Sequence, residues 1–379
     1  MTAGDPSFTV GIEEEYLLVD RRTRDIATEP PAAMIEECRS LIRNLVRPEL
    51  LRSQIEVGTR VCHTIAQARE ELAWLRRTVA GVAGSHGLAP IAASTHPFSE
   101  WQDQLHTDKE RYHMLARDLQ AMARRLLICG MHVHVGIDGD DDLRIDLINQ
   151  ACYFLPHLLA LSTSSPFWRG EDTGLKSYRL SVFNELPRTG LPEYFESFGE
   201  YQRHVKILTD AGLIKDATLL WWDIRASANF PTVEMRITDV CTRLDDAVAI
   251  AGLFVCIVRM LYRLRRANQR WRRYSRMLIN ENRWRAQRYG VDEGLVDFGK
   301  GRIIPCAELL EELLELIDED AEALGCRDQV AHARKIVRQG TSAHRQIETY
   351  ARAIGAGADI AEALRSVVDW LIEETAAGL

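Results

Sequence analysis

The chain has 379 residues, 46% of them hydrophobic and 27% charged, with a formal net charge of −8. That acidic balance excludes a general nucleic-acid binder, and no stretch approaches the ~20 consecutive apolar residues of a membrane span. Residues 1–9 hold no apolar core of a secretory signal. The cysteines at 38, 62, 129, 152, 241, 256, 306 and 326 form no CxxC pair. They fit reduced thiols of a cytoplasmic protein better than a disulfide framework or a zinc ribbon.

Phe8–Asp20 reads as a strand, with a turn at Arg21–Asp25 that returns as a hairpin. Leu50–Cys62 reads as one or two strands broken at Gly58. The spacing of Ala68, Leu72, Leu75 and Val79 predicts a helix over Thr64–His86, ended by glycines. Leu88–Ser94 is a short buried strand before a His96-Pro97 turn. Lys109–Leu127 is predicted helical, Ile128–Ile137 a strand, and Leu143–Ser162 a helix that Pro156 should kink. Ser164–Gly190 reads as a long irregular segment holding Lys176, Tyr178 and Arg179, and long loops in compact domains are often functional. Leu219–Asn229 and Thr232–Val240 read as a hairpin around Pro231. From Leu244 onward the pattern is helical: Leu244–Tyr289, Cys306–Ala323, Asp328–Gln339, Ala343–Ile354 and Ile360–Ala376. Strands and helices up to about residue 241, then helices alone, predict an α+β chain with an antiparallel sheet.

Side chains alternate along a strand, so residues two apart share a face. Glu13 and Glu15 share one, opposite Val10, Ile12 and Tyr16, while Glu14 falls on the apolar side and reads as structural or paired. Glu56 points away from Ile55 and Val57. His132 and His134 oppose Met131, Val133 and Val135. Glu234 and Arg236 oppose Val233, Met235 and Ile237, and Asp223 and Arg225 share the polar face of the preceding strand. If these strands are neighbours, carboxylates and imidazoles converge. Two carboxylates about 4 Å apart repel by roughly 4 kcal/mol at an effective dielectric near 20, so such a face needs bound cations or strong pairing. Carboxylate oxygen with some imidazole, and no thiolate, suits Mg²⁺ or Mn²⁺ more than zinc. Arg225, Arg236 and Arg179 suit bidentate binding of phosphate or carboxylate. Metals with arginines point to phosphoryl chemistry.

Each piece also has a plain reading. Glu13 and Glu15 fit a polar edge strand, the two histidines a half-polar strand, and Glu234 with Arg236 a surface ion pair. Gly294–Gly301 imitates a P-loop but ends in Gly301 where Ser or Thr should hold magnesium. The arginine-rich stretch from Arg259 to Arg288 reads as a solvated helix face pairing with the acidic Glu308–Glu322 helix. Arg283 and Arg285, near its end, remain within reach of a phosphate.

The segments Gly11-Ile12-Glu13-Glu14-Glu15-Tyr16, Gln54-Ile55-Glu56-Val57, Met131-His132-Val133-His134-Val135-Gly136, Trp221-Trp222-Asp223-Ile224-Arg225 and Val233–Cys241 together resemble the carboxylate-amine ligases known as glutamate–cysteine ligase type 2. Gly130-Met131-His132-x-His134 is also similar to a strand of glutamine synthetase. The resemblance implies one glutamine-synthetase-like catalytic domain over residues 1–379, a curved antiparallel sheet forming a funnel, strand-rich over 8–241 and helical over 242–379. By the same resemblance, Glu13, His132 and Glu234 hold the metal that bridges the ATP phosphates. Glu15 and Glu56, with Glu49, hold the metal beside the acceptor carboxylate. His134 sits near the nucleotide or behind the metal ligands, Arg225 and Arg236 stabilise the transferring phosphoryl group, and Lys176, Tyr178 and Arg179 lie where substrate loops are placed. The implied reaction is ATP-dependent amide formation through an acyl phosphate, from the γ-carboxyl of glutamate and an amine such as cysteine. A phosphotransferase of the guanidino-kinase kind, a non-catalytic metal- or nucleotide-binding protein, and a zinc hydrolase using His132 and His134 are the competing readings. The apolar helical third also suits a homodimer.

Overall fold

The computed structural model describes residues 5–379, apart from the side chains at positions 111, 115, 116, 118 and 124. Its centre is a seven-stranded antiparallel sheet. In chain order the strands are β1 (Val10–Asp20), β2 (Val46–Pro48), β3 (Gln54–Gly58), β4 (Leu88–Ile91), β5 (Met131–Gly136), β6 (Ile224–Ala226) and β7 (Thr232–Met235). The order across the sheet is β6-β7-β5-β1-β3-β2, and β4 pairs with the far half of β1. β1 is long because it serves both halves. Glu13 and Glu14 are paired on both sides, by β5 and β3, and Leu18–Asp20 pair with β4.

The alternation read from sequence decides which face is buried. Val10, Ile12, Tyr16, Ile55, Val57, Val133, Val135, Val233 and Met235 are all buried on the back face. Helices α1 (Ile65–Ser85) and α2 (Leu244–Arg266) cover that face. α1 begins where Thr64 accepts a hydrogen bond from the Gln67 backbone N–H at 3.1 Å, a standard N-cap. α2 is the one helix among the described residues long and apolar enough to cross a membrane, but most of its apolar length is buried in the core. The main core is a single cluster running from Phe8 to Leu371.

Buried on the back face with the apolar residues is Glu14. Arg76 from α1 donates to its two oxygens at 2.8 and 2.6 Å, and Tyr16 Oη donates as well. The same guanidinium donates to the carbonyls of Cys241 and Thr242 at 2.8 and 2.7 Å. One arginine thus ties α1, β1 and the segment after β7 together, and Glu14 is paired as the parity argument expects.

Several predicted elements are broken or shortened. The helix expected over Lys109–Leu127 stops at Leu119, because Gln120 takes a left-handed conformation (φ 50°), and a short turn follows at Ala121–Arg124. The Leu143–Ser162 helix divides into Asp141–Ala151, a 3₁₀ turn, and Leu155–Ser162. Pro156 does not kink a helix but sits in the first turn of a new one, where its missing N–H costs nothing. The hairpin across Asp20–Asp25 closes through a single bridge between Val19 and Ile26. The P-loop imitation is part of a β-hairpin, Leu295–Asp297 against Arg302–Ile304. Gly294 is there because a Cβ at its positive φ would lie 2.1 Å from the Ile304 carbonyl oxygen. The C-terminal third is therefore helical except for this hairpin. Its basic stretch does meet acidic partners: Arg259 and Arg263 both bond Asp320, while Arg265 and Arg270 pair with Asp146.

Candidate active site

The front face of the sheet is the floor of an open cavity of about 410 Å³. Register alone places its charges. Glu13 pairs with His132 across β1 and β5, Glu15 with Glu56 across β1 and β3, Glu234 with His134 across β7 and β5, and Arg225 with Glu234 across β6 and β7. Four strands thus bring together five of the six residues expected to bind metal. The sixth, Glu49, arrives from the turn between β2 and β3.

The acids divide into two environments. Glu234 is buried, and both of its oxygens are engaged. Arg225 grips it with Nε and Nη2, each at 2.9 Å, and Arg236 Nη1 reaches Oε1 at 2.6 Å. Burial alone would raise this carboxyl, but the Arg236 and Arg225 charges outweigh it and hold it well below the usual carboxylate range. Glu13 is likewise lowered: burial opposes, and its contacts with His132 and His134 prevail. Its Oε2 lies 3.3 Å from His132 Nδ1 and 3.7 Å from His134 Nε2. His132 is pushed down to about 4 by burial and by the Arg236 charge, so it is a neutral imidazole near pH 7. His134 Nδ1 is 2.9 Å from Thr232 Oγ1, while its buried Nε2 has no hydrogen-bond partner.

Glu15, Glu49 and Glu56 form the second environment. One oxygen from each lies within 4.8 Å of the others, and all three residues are half-buried. Burial first, then the Glu56 charge, pushes Glu15 up to about 7, although Arg179 and Arg236 pull it down. Burial, then Glu49 and Glu13, raises Glu56 well above the carboxylate range. Arg47 Nη1 lies 3.8 Å from its Oε1. A trio that cannot hold its full negative charge is short of cation. An all-oxygen set of this kind fits Mg²⁺ or Mn²⁺. Glu13 and His132 offer a mixed oxygen and nitrogen pair a few ångströms away, whereas Glu234 is already saturated by arginine.

Arg179 is the one residue of the predicted loop trio that lines the cavity. Its guanidinium donates to the carbonyls of Ile237 and Arg236 at 3.2 and 3.3 Å. It lies so close over Gly130 that a Cβ there would sit 2.4 Å from Nη2. Gly130 N–H donates to Glu15 Oε2 at 2.7 Å. The loop itself is anchored by Asp239, which accepts from Ser164 N–H, Ser165 Oγ and Ser177 Oγ at 2.7–2.9 Å. Lys176 and Tyr178 are not brought to the cavity. Lys176 pairs with Asp292 at 3.6 Å, and Tyr178 packs its ring on Trp168. Asp223 does not extend the charged floor either: it is buried against Arg283 at 2.7 Å. That contact also takes Arg283 out of reach of a phosphate, and Arg285 is occupied with the Glu293 and Gly294 carbonyls. Arg47, Lys109 and Tyr112 line the cavity without having been expected there. Arg47 was visible in the alternation Val46-Arg47-Pro48, but nothing local marks Lys109 or Tyr112.

The antiparallel sheet thus carries two groups of acids on its front face with Arg179, Arg225 and Arg236 around them, the equipment of an enzyme that handles phosphate and carboxylate groups. The description "Glutamate-cysteine ligase family 2" matches residues 9–369. A relative from Rhodospirillum rubrum, provisionally named glutamate–cysteine ligase 2, is 63% identical over 99% of this chain and 97% of its own length. Among solved structures, the glutamate–cysteine ligase of Francisella tularensis, determined with AMP, superposes with a TM-score of 0.69 at 14% identity, over 97% of this chain and 89% of that one. A bifunctional glutathione synthetase from Pasteurella multocida gives 0.67 at 15% identity, over 97% of this chain and 52% of that one. The chain belongs to glutamate–cysteine ligase family 2, and membership makes it an ATP-dependent ligase that joins a carboxylate to an amine.

Proposed function

We propose that the protein phosphorylates the γ-carboxyl of glutamate with ATP and passes the acyl group to an amine, with two divalent cations, Mg²⁺ or Mn²⁺, in the funnel. The observation that carries this reading is the split floor: Glu13 and Glu234, held as carboxylates beside the neutral His132, and the crowded trio of Glu15, Glu49 and Glu56. Glu13 and His132, with Glu234, are assigned to the cation on the nucleotide side, and the second trio to the cation beside the acceptor carboxylate. Bound there, the cations supply neutralisation of phosphate and carboxylate charge.

The chain's own residues then divide the work. Arg225 and Arg236 sit 2.9 and 2.6 Å from Glu234, fixed in place and aimed into the cavity. Holding a cation on Glu234 requires one arginine to release it, and a phosphoryl oxygen is the acceptor that guanidinium would turn to. His134 Nε2, buried and without a hydrogen-bond partner, is assigned to the nucleotide. Arg179 positions Glu15 by its charge and its packing on Gly130. In the first step a carboxylate oxygen attacks the γ-phosphorus and ADP leaves. In the second the amine nitrogen attacks the acyl carbon, the carbon–oxygen bond to phosphate breaks, inorganic phosphate departs with the electron pair, and the nitrogen loses a proton. A cytoplasmic setting is supported by the eight cysteines, all buried thiols.

Incubation with ATP, Mg²⁺, glutamate and a panel of amines should release phosphate only when a suitable amine is present. A stable phosphorylated product without phosphate release would instead identify a phosphotransferase. Phosphate release that ignores every amine would remove the ligase assignment.

A further inference from the structure

We propose that the amine acceptor carries an apolar body, the size of an aromatic or branched aliphatic side chain, held on a wall formed by Leu119, Leu126, Phe183, Leu186 and Trp221. The inference rests on the ligase reading above and names its second substrate class.

These five side chains line the same cavity as the carboxylates, yet none comes from the floor strands. They arrive from the helix Glu110–Leu119 and the segment after it, from the end of the short helix Arg179–Phe183 and the residues just beyond it, and from the two-residue strand Trp221–Trp222. Leu119, Ala123 and Leu186 form a second buried hydrophobic cluster, against which Leu126, Phe183 and Trp221 pack. A small cluster under a long loop is ordinary when it closes on itself. This one does not: Leu126, Phe183 and Trp221 are only partly buried, and each lines the cavity.

The wall stands at the acceptor end of the floor. Gln54, two residues from Glu56 on the same strand face, donates its side-chain N–H to the Ile128 carbonyl at 2.7 Å and to that of Leu126 at 3.4 Å. That bond docks the 126–128 segment beside the carboxylate trio. On the other side the Arg179 guanidinium, whose charge acts on Glu15, lies 5.4 Å from the centre of the Phe183 ring. An apolar body seated here would therefore present its amine to the acyl carbon held over Glu15 and Glu56. A small polar amine gains nothing from such a wall, whereas a site of this kind discriminates by ~10-fold or more for each methylene it buries.

The test uses hydroxylamine, a small nucleophile that traps an acyl phosphate as a hydroxamate whatever the natural acceptor. With ATP, Mg²⁺ and glutamate, hydroxamate formation checks the ligase reading by itself, and its absence would sink both that reading and this inference. Given hydroxamate, kcat/KM is compared for 2-phenylethylamine, ethylamine and cysteine. The expected result is a preference for 2-phenylethylamine of at least ~10-fold over either. Trp221→Ala should shrink the 2-phenylethylamine-to-hydroxylamine ratio by about 10-fold through KM, and Trp221→Phe should restore most of it. Equal or better use of cysteine or ethylamine, or an unchanged ratio in Trp221→Ala, overturns the inference and leaves the ligase reading standing.

Discussion

Replacing Arg76 with methionine should destabilise the protein by about 4 kcal/mol, in the 3–5 kcal/mol range for breaking one side of a buried ion pair. Arg76 is 1% exposed and Glu14 is fully buried. The guanidinium makes four hydrogen bonds of 2.6–2.8 Å, two to the Glu14 carboxylate and two to the carbonyls of Cys241 and Thr242. Methionine fills similar volume but leaves the Glu14 charge to the hydrogen bond from Tyr16 Oη. Two buried carbonyls also lose these bonds. Denaturant unfolding reads the loss as a lower midpoint at unchanged slope. The double variant Glu14→Leu with Arg76→Met removes both charges, and the Glu14→Leu change should then add far less than it does alone. Activity should fall as well, because the strand held from behind carries Glu13 and Glu15 on its front. A single Arg76→Met variant within 1 kcal/mol of the parent, or fully additive double-variant costs, would refute the reasoning.

Glu15→Gln should cut turnover by at least ~100-fold while leaving the thermal midpoint equal or higher, since it relieves repulsion in the Glu15, Glu49 and Glu56 trio. A near-parental rate would remove its assignment as a ligand. Gly130→Ala should lower kcat/KM by ~10-fold or more with circular dichroism unchanged, because its Cβ would displace the Arg179 guanidinium. His96 is buried and neutral, pushed down to about 4 chiefly by burial, and its Nδ1 accepts from Ser99 N–H at 3.0 Å. Because its folded value is depressed below the ordinary 6.5, the unfolded chain binds the extra proton first, and stability falls as pH drops through 6.5 toward 4. That contributes a loss of about 2 kcal/mol at pH 5 relative to pH 7.5. His96→Asn should flatten that part of the pH profile in denaturant unfolding, and an unchanged slope would show that His96 does not carry it.

Strand parity made much of the floor legible, because a period of two needs no partner to be read. Glu13, Glu15, Glu56, His132, His134 and Glu234 all lie where alternation puts them, and the same rule separated Glu14 onto the back face. Parity failed at Asp223, which sits between two very short strands and turns instead toward Arg283. Loops gave no such rule. Lys176, Tyr178 and Arg179 are close in sequence, yet only Arg179 reaches the cavity, because Asp239 anchors the loop in a way that no local pattern reveals. The break at Gln120 and the apolar wall beyond it were hidden for the same reason. Both depend on what Leu119 meets at Leu186, and that is a tertiary fact.

The order of the strands also bears on how the enzyme is made. β1 precedes the other strands of the sheet in the chain and lies in the middle of the finished sheet, but its neighbour β5 follows more than a hundred residues later, and β7 later still. β3 and β4 come sooner, but until β5 is made one hydrogen-bonding edge of the first strand stays open, a template for unwanted pairing. Contacts so distant along the chain also slow folding. The charged front of β1, Glu13 and Glu15, is the kind of feature that natural edge strands use against such pairing.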